Sequence, residues 1–324
     1  MRGKGSIAVG LCAGLLFLGW VLEGAPRAQD YPVKPITVIV AYAAGGGTDI
    51  AARLINQFAE KYLKQPLVVV NKPGAGAEIG FTELARSRPD GYTIGWLNTP
   101  TIMTVPIQRK AAFSLDDFFP ICNIIYDPGV LVVRADSSLD TVEKVVAEAK
   151  KNPGVLTYGT TGIGSDDHLA ALALEREAGI KLIHVPFDGT GPSTIALLGG
   201  HINLLLANEG EMLPHVRSGK AKVVAVMNEK RIASLPDVPT FRERGINVIS
   251  SSARGVGAPK GMPAPIVKKL EETFFKANNE PEFIKKAKEL ELPLYYLDSK
   301  AYSEYLRSLD ASYRALWAKQ PWVK

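Results

Sequence analysis

Four glycine-rich turns are the segments of this sequence whose residue types and spacing could do chemistry. They span residues 45–49, 74–80, 162–165 and 188–191, and each follows a candidate strand and opens a candidate helix. Glycine lets the backbone approach a ligand closely, and the free N–H groups of a helix start favour an anion. One such turn is equally well explained as a tight turn. Four of them together predict a binding site for a small anionic ligand.

Motifs for nucleotide binding and for catalysis find little support in the sequence. The P-loop pattern does not occur, and residues 74–80 read GxGxxxG, one residue longer than the dinucleotide fingerprint. Serine never stands in a GxSxG pattern, and the four histidines have neither HExxH nor metal-ligand spacing. We therefore predict that the protein is not an enzyme and that it uses no cofactor and no metal.

Two polar side chains beside the glycine-rich turns have open alternatives. His168 lies three residues after Ser165, at the start of a candidate helix. It either supports that helix start or contacts the ligand directly. Asp49 either adds negative charge to the first turn of its helix, or fixes the glycine turn by accepting hydrogen bonds from backbone N–H groups.

The elements that must position these turns alternate between strands and helices. Buried runs at 36–41, 67–70 and 93–97 enclose two helical patterns, and this βαβαβ order predicts a parallel sheet with right-handed crossovers. Thr48 or Asp49 is the expected N-cap of the first helix. A second α/β unit is predicted from strands at 130–133, 156–159, 181–185, 202–207 and 222–227, with a helix at 166–178. The C-terminal part reads as helices at 265–278, 280–291 and 299–320.

Two extended segments, near 128–134 and 247–257, could cross between the two α/β units as a hinge pair. Such a crossing would return the C-terminal helices to the first unit. We therefore expect a discontinuous first lobe, residues 29–130 plus 251–324, and a second lobe, residues 131–250.

The N-terminal segment has the layout of a secretory signal peptide. Arg2 and Lys4 precede an uncharged run from Ile7 to Leu22, which is short for a membrane span of about 20 apolar residues. We expect residues 1–28 to be a signal peptide that directs export to the periplasm and is cleaved near Ala28. An uncleaved anchor is the alternative.

The composition of the 324 residues is that of a globular protein, with 46% hydrophobic and 22% charged residues. Residues 1–28 carry three basic residues and one acidic residue, so the net charge of +5 falls to about +3 without them. The charges are dispersed, which excludes a nucleic-acid footprint. Beyond the signal segment the sequence keeps one cysteine, Cys122, which we expect to be a buried thiol.

Several motifs, in order along the chain, resemble one family. They are YAAGGGTD at 42–49, NKPGAG at 71–76, PDGYT at 89–93, YGTTGIGS at 158–165 and PDVPT at 236–240. This set is similar to the periplasmic solute-binding proteins of tripartite tricarboxylate transporters, the Bug or TctC-like family. The resemblance implies a two-lobed α/β fold, periplasmic binding protein type II-like, with a two-strand hinge. Each lobe is then a mainly parallel sheet flanked by helices.

The family resemblance also implies a function and a set of ligand contacts. The function is capture of a small organic anion, a di- or tricarboxylate, acidic amino acid or aromatic acid, and its delivery to the membrane permease subunits by a protein expected to be a monomer. The implied contacts come from the strand-end turns of both lobes. They are Tyr42, Ala43, Gly46, Gly47, Thr48, Asp49, Gly76, Ala77, Glu78, Thr160, Thr161, Gly164, Ser165, His168, Asp188, Gly189 and Thr190.

Three positions bear on ligand identity. Ala77 stands where many relatives have glycine, which narrows the room for backbone approach. Asn208 and Glu209 follow a strand and are expected to help to set the ligand. Glu209 could favour a ligand amine, act as a second-site donor or face solvent.

Two other functions remain as alternatives at this point. The loaded protein could dock to a membrane signalling protein as a sensor, or the cleft could belong to an exported hydrolase. The sequence offers no catalytic spacing in favour of the hydrolase.

Overall fold

The computed structural model describes residues 31–323, in which strands and helices alternate along most of the chain. The first part contains β1 (Ile36–Val40), α1 (Gly47–Leu63), β2 (Leu67–Asn71), α2 (Glu78–Arg86), β3 (Thr93–Asn98), α3 (Thr101–Gln108) and β4 (Phe118–Arg134). The middle part contains α4 (Val142–Lys151), β5 (Thr157–Thr160), α5 (Asp166–Ala178), β6 (Ile183–Pro186), α6 (Thr190–Leu198), β7 (Leu204–Asn208), α7 (Glu209–Arg217) and β8 (Ala221–Met227). The last part contains β9 (Ser251–Pro259), α8 (Ala264–Asn278), α9 (Pro281–Glu289), β10 (Leu294–Leu297) and α10 (Ser299–Lys319).

The first three strands form the parallel sheet that the βαβαβ pattern predicts. β1 lies in the middle, pairing in parallel with β2 on one side and β3 on the other. Every residue of β1 is β-branched, and the strand is almost wholly buried, as expected of a strand covered on both faces. The carboxyl ends of these strands therefore lie at one edge, where the turns that open α1 and α2 begin.

The second α/β unit repeats this arrangement with β5 between β6 and β7, all parallel. On the other side, β7 pairs with the end of β4, which in turn pairs with β8. Leu131 and Val133 of β4 pack with side chains of α4 and α5, whereas Val130 and Val132 pack with side chains of α6 and α7. This alternation follows from the two-residue period of a strand, so both faces of the strand are covered.

The two sheets share one long antiparallel strand. Residues 118–128 of β4 pair with β9, while residues 129–134 pair with β7 and β8. β9 also pairs with β3, so it lies between β3 and β4. The sheets are therefore mixed: parallel order holds for β1–β3 and β5–β7, and the pairings of β4, β8, β9 and β10 are antiparallel.

The start of the first helix differs from the prediction. α1 begins at Gly47, and Gly46 is its N-cap, with the extended backbone angles (φ −85°, ψ 169°) of that position. The expectation that Thr48 or Asp49 caps this helix is therefore wrong. Both residues lie in the first turn, where their side chains bind other partners.

Two helices, most of β4 and the short strand β10 were not predicted. α3 contains Pro106 and α7 contains Pro214, and an internal proline removes a helix hydrogen bond and usually argues against a helix. Residues 118–129 of β4 contain Pro120, Pro128 and Gly129, which read as strand breakers. Long-range pairing with β9 outweighs these local preferences.

The prediction of a signal peptide at residues 1–28 lies outside the described residues. Between residues 31 and 323, no helix has the length and apolar character that crossing a membrane requires. Cys122 is a free, buried cysteine, as predicted, and burial raises the pKa of its thiol.

Candidate ligand-binding site

A cavity of about 20 Å³ lies where strand ends of the two α/β units meet, and it has room for about one water molecule. Four helices begin at its wall: α1, α5, α6 and α7. The positive ends of four helix dipoles therefore lie at one cavity, which favours negative charge there. The lining residues are Tyr42, Gly46, Gly47, Thr48, Asp49, Asn98, Thr99, Thr161, Asp166, Thr190, Asn208, Glu211, Ser252 and Arg254.

A buried guanidinium lies at this cavity. The Arg254 side chain is 3% exposed; its Nη1 donates to Asp127 Oδ2 at 3.0 Å and its Nη2 to Glu211 Oε1 at 3.0 Å. Nη2 also donates to Asn208 Oδ1 at 2.5 Å. Burial opposes the charge, but the Glu211 and Asp127 carboxylates hold the pKa of Arg254 above its ordinary value. The site thus contains a permanent positive charge that is held by three hydrogen bonds.

Glu211 joins the two α/β units at this point. Its Oε1 accepts from the Gly47 N–H at 3.2 Å as well as from Arg254, and its Oε2 accepts from the Asn208 N–H at 3.2 Å. The last contact completes a capping box at the start of α7. A Cβ on Gly47 would lie 2.8 Å from Glu211 Oε1, so glycine is required for this close approach.

Three aspartates make the rest of the site acidic. Asp127 is fully buried, and burial raises its pKa to about 7 although Arg254 counteracts this. Burial also raises the pKa values of Asp166 and Asp167. Asp166 accepts from Asn208 Nδ2 at 2.8 Å, and Asp167 Oδ2 accepts from the Thr161 hydroxyl at 2.9 Å. With Glu211, four carboxyl groups therefore surround the Arg254 guanidinium.

The first glycine turn is held by Asp49. The Gly45 N–H donates to Asp49 Oδ2 at 3.0 Å, while Arg53 and Asn71 donate to Oδ1. Burial would raise the pKa of Asp49, but these donors, Arg53 foremost, lower it. Of the two roles predicted for Asp49, the structure has it fixing the turn. Its neighbour Thr48 accepts from Asn98 Nδ2 at 2.6 Å, at the cavity wall.

His168 supports the loop before α5. Its Nδ1 accepts from the Gly164 N–H at 3.2 Å, and its own N–H donates to Ser165 Oγ, the cap of α5. The His168 ring stacks on His184, with centroids 4.4 Å apart. Burial lowers the pKa of His168 to about 3, so the ring is neutral and Nδ1 is free to accept. His184 Nε2 lies 2.6 Å from Thr160 Oγ1.

Other residues expected at the site lie outside the central cavity. Gly76 and Asp188 line a separate pocket of about 510 Å³ together with Arg109, which we call the outer pocket. Ala43 N–H donates to the Asp188 carbonyl at 2.9 Å, which links the turns of the two units. The remaining residues have other roles. Ala77 (φ 72°) and Gly189 (φ 149°) hold turns with positive φ angles. Glu78 forms an ion pair with Arg109, and Glu209 accepts a hydrogen bond from Ser234.

Six residues that line the cavity were missed: Asn98, Thr99, Asp166, Glu211, Ser252 and Arg254. Two of them left a trace in the sequence. Arg254 is the one charge in the run SSARGVGAP, and a charge inside a buried strand requires a partner. Asn208 and Glu211 have the spacing of a capping box.

The arrangement is suited to binding. Within residues 31–323, no three His, Cys, Asp or Glu side chains are placed to hold a metal ion. Nδ1 of the neutral His168 ring accepts from the Gly164 N–H, so Nε2 carries the ring proton and neither nitrogen is free to act as a base for Ser165.

The fold and the site between its two units define a class, the two-lobed periplasmic solute-binding proteins. A model of the tripartite tricarboxylate transporter family receptor (TctC) matches residues 51–317, and the chain belongs to this family. A Cupriavidus necator protein named UPF0065 protein in gbd 5' region is 35% identical, with 91% of this chain and 90% of the relative covered. The family is one of transporter receptors, and two solved relatives are described as a periplasmic transporter and a periplasmic binding protein, which agrees with a periplasmic location.

Two solved structures support the same class. The periplasmic binding protein BugD has a TM-score of 0.84 at 30% identity, with 89% of this chain and 98% of that chain covered. MatC of Rhodopseudomonas palustris, with bound malate, has a TM-score of 0.82 at 27% identity, with 88% and 99% covered.

Proposed function

We propose that this protein captures a small carboxylate between its two lobes and delivers it to the membrane subunits of a tripartite tricarboxylate transporter. The observation that carries the proposal is the cavity at which four helices from both units begin, around the Arg254 guanidinium. Helix starts and a guanidinium are donors for carboxylate oxygens. The malate-bound relative supports a dicarboxylate, and tricarboxylates, acidic amino acids and aromatic acids belong to the same proposal.

We further propose lobe 1 as residues 29–130 plus 251–324 and lobe 2 as residues 131–250. The change of pairing partner along β4 near Gly129, and the hydrogen bond from Gly129 N–H to the Ser250 carbonyl at 2.8 Å, support a hinge there. Ligand contacts in both lobes would stabilise the closed form over the open one. Export with cleavage after Ala28 and a monomeric state complete the proposal.

The ligand contacts that we propose lie in two places, the central cavity that contains Arg254 and the outer pocket. Tyr42, the turn 46–49, Thr161, Thr190 and Asn208 line the central cavity and would hold the carboxylate. Gly76 and Asp188, in the outer pocket, would face the other end of the ligand. Residues around Ser165 and His168 hold the loop that carries Thr161.

Isothermal titration with malate, adipate, citrate, glutamate and benzoate tests this function. We expect at least one of them to bind the protein, and Thr48→Ala to weaken that binding because the hydroxyl at the start of α1 is lost. Thr82→Ala, a helix substitution at a residue outside the cavity, is the matched control. Absence of binding by every compound would refute the proposal.

A further inference from the structure

We propose that Glu211 is a built-in occupant of the carboxylate position, which a ligand must displace before it binds. The proposal rests on the carboxylate-binding function above. It assigns to one side chain of this protein a role in setting ligand affinity and in closing the lobes without ligand.

The first argument is the position of one oxygen atom. Glu211 Oε1 accepts from the Gly47 N–H at 3.2 Å and from Arg254 Nη2 at 3.0 Å. A backbone N–H at a helix start and a guanidinium are the two donors that a ligand carboxylate would use. The protein's own carboxylate thus already holds the place that the proposed ligand needs.

The second argument is space. With Glu211 in this position the central cavity measures about 20 Å³, which accommodates about one water molecule and not a dicarboxylate. Gly47 has no side chain, and a Cβ there would be 2.9 Å from Glu211 Cγ. The start of α1 is therefore shaped to admit the Glu211 side chain.

The third argument is an unsatisfied acceptor at the same cavity. Among the atoms of residues 31–323, Asn98 Oδ1 is one of the few buried side-chain atoms without a hydrogen-bond partner, and Asn98 is 4% exposed. Asn98 Nδ2 donates to Thr48, so the free oxygen belongs to a side chain held in place. An unpaired buried acceptor is costly, and a hydroxyl or amine next to the ligand carboxylate would satisfy it.

The occupant also connects the lobes. Glu211 belongs to α7 in lobe 2 and Gly47 to α1 in lobe 1, so their hydrogen bond spans the cleft. The bond from Ala43 N–H to the Asp188 carbonyl spans it at a second place. A ligand carboxylate that takes the Gly47 N–H and Arg254 leaves Glu211 beside a like charge, which lowers ligand affinity.

Glu211→Gln tests this role, because the amide keeps the shape of the side chain and removes the charge. Glu272→Gln, at an exposed position on α8, is the matched control. Spin labels on Arg86→Cys and Lys150→Cys, exposed positions in lobes 1 and 2, report the distance between the lobes in the ligand-free protein. We expect a longer or broader distance in Glu211→Gln than in the unmodified and control proteins.

Titration with malate is the second measurement. We expect Glu211→Gln to bind it at least about fivefold more tightly, since the competing charge is gone, and the control to bind as the unmodified protein does. Weaker binding by Glu211→Gln would overturn the proposal, because Glu211 would then be a ligand contact. Unchanged distance together with unchanged affinity would also overturn it.

Two further points keep the test decisive. If no carboxylate binds any of the proteins, the proposed function fails, and the ligand-free distance still decides whether Glu211 closes the lobes. If Glu211→Gln does not fold, Glu211→Asp keeps the charge but is one methylene too short to reach Gly47, and we expect the same opening from it.

Discussion

At the scale of single residues, the main feature of this protein is a buried arginine, Arg254, with four carboxyl groups near it. Removing charges from water is expensive, and the attraction between them repays it only if the geometry and hydrogen bonds are good. Arg254 meets this condition through Asp127, Asn208 and Glu211. The four carboxyl groups outnumber the single guanidinium. Burial raises the pKa values of Asp127, Asp166 and Asp167, so bound protons neutralise part of the negative charge.

The raised pKa of Asp127 predicts a pH dependence of stability. Asp127 has a pKa of about 7 when folded, against about 3.9 when unfolded, so between these values the folded state binds more protons. This contribution therefore makes the protein more stable as the pH falls from 8 toward 5, by on the order of 1 kcal/mol per pH unit below 7.

Urea unfolding of the unmodified protein and of Asp127→Asn between pH 8 and pH 5 measures this contribution. Every other titrating group is common to both proteins, so the difference between their unfolding free energies reports on Asp127 and on its interaction with Arg254 and Glu211. We expect the difference to shift in favour of the unmodified protein as the pH falls. Parallel curves would show that burial does not raise this pKa.

The start of α1 is the element on which the site depends most. Its first residue, Gly47, contacts both Glu211 and Arg254, whereas the nearest atom to a Cβ on Gly46 would be 3.7 Å away. Gly46 also has a negative φ that any residue can adopt.

We therefore expect Gly47→Ala to displace Glu211 and Arg254 and to lower the midpoint of thermal unfolding, while Gly46→Ala leaves it nearly unchanged. The predicted loss for Gly47→Ala is about 1–3 kcal/mol, the usual cost of overpacking a buried site. Differential scanning calorimetry of both variants checks this. Equal unfolding midpoints for the two variants would contradict this, because α1 would then be able to shift and accommodate the Cβ of Ala at position 47.

Prediction from the sequence succeeded for elements defined by local signals. α5 has the predicted bounds, because Ser165 caps it and Gly179 ends it with a left-handed backbone. The turns at 46–49 and 190 were correctly placed at strand ends, and these residues line the cavity. Arg254 joins them through the pairing of β9 with β3 and β4, and Glu211 through the pairing of β7 with β4, and no local pattern specifies these long-range pairings.

At the scale of the whole molecule, the C-terminal helix ties the end of the chain to the first sheet. Tyr302 of α10 is fully buried, and its hydroxyl donates to the Leu97 carbonyl of β3 at 3.0 Å. A Cβ on Gly255 would lie 2.7 Å from the Tyr302 ring, so β9 is also in close contact with it.

We expect Tyr302→Phe to lower the free energy of unfolding by about 1 kcal/mol, the usual effect of one lost buried hydrogen bond. Tyr302→Ala should cost about 3–5 kcal/mol because it also leaves a cavity. Tyr295→Phe, at a half-exposed ring, is the control and should have little effect. Urea titration measures all three, and a Tyr302→Ala loss below that of Tyr302→Phe would contradict the packing.

The place of β9 between β3 and β4 has a consequence for the order of synthesis. β3 and β4 do not pair with each other; each pairs with β9, residues 251–259. The ribosome adds β9 roughly a hundred residues after β4 is complete. Until then the N-terminal part presents two unpaired strand edges, which are prone to associate with other chains. A nascent chain of this protein therefore cannot complete its first sheet until residues 251–259 have been made.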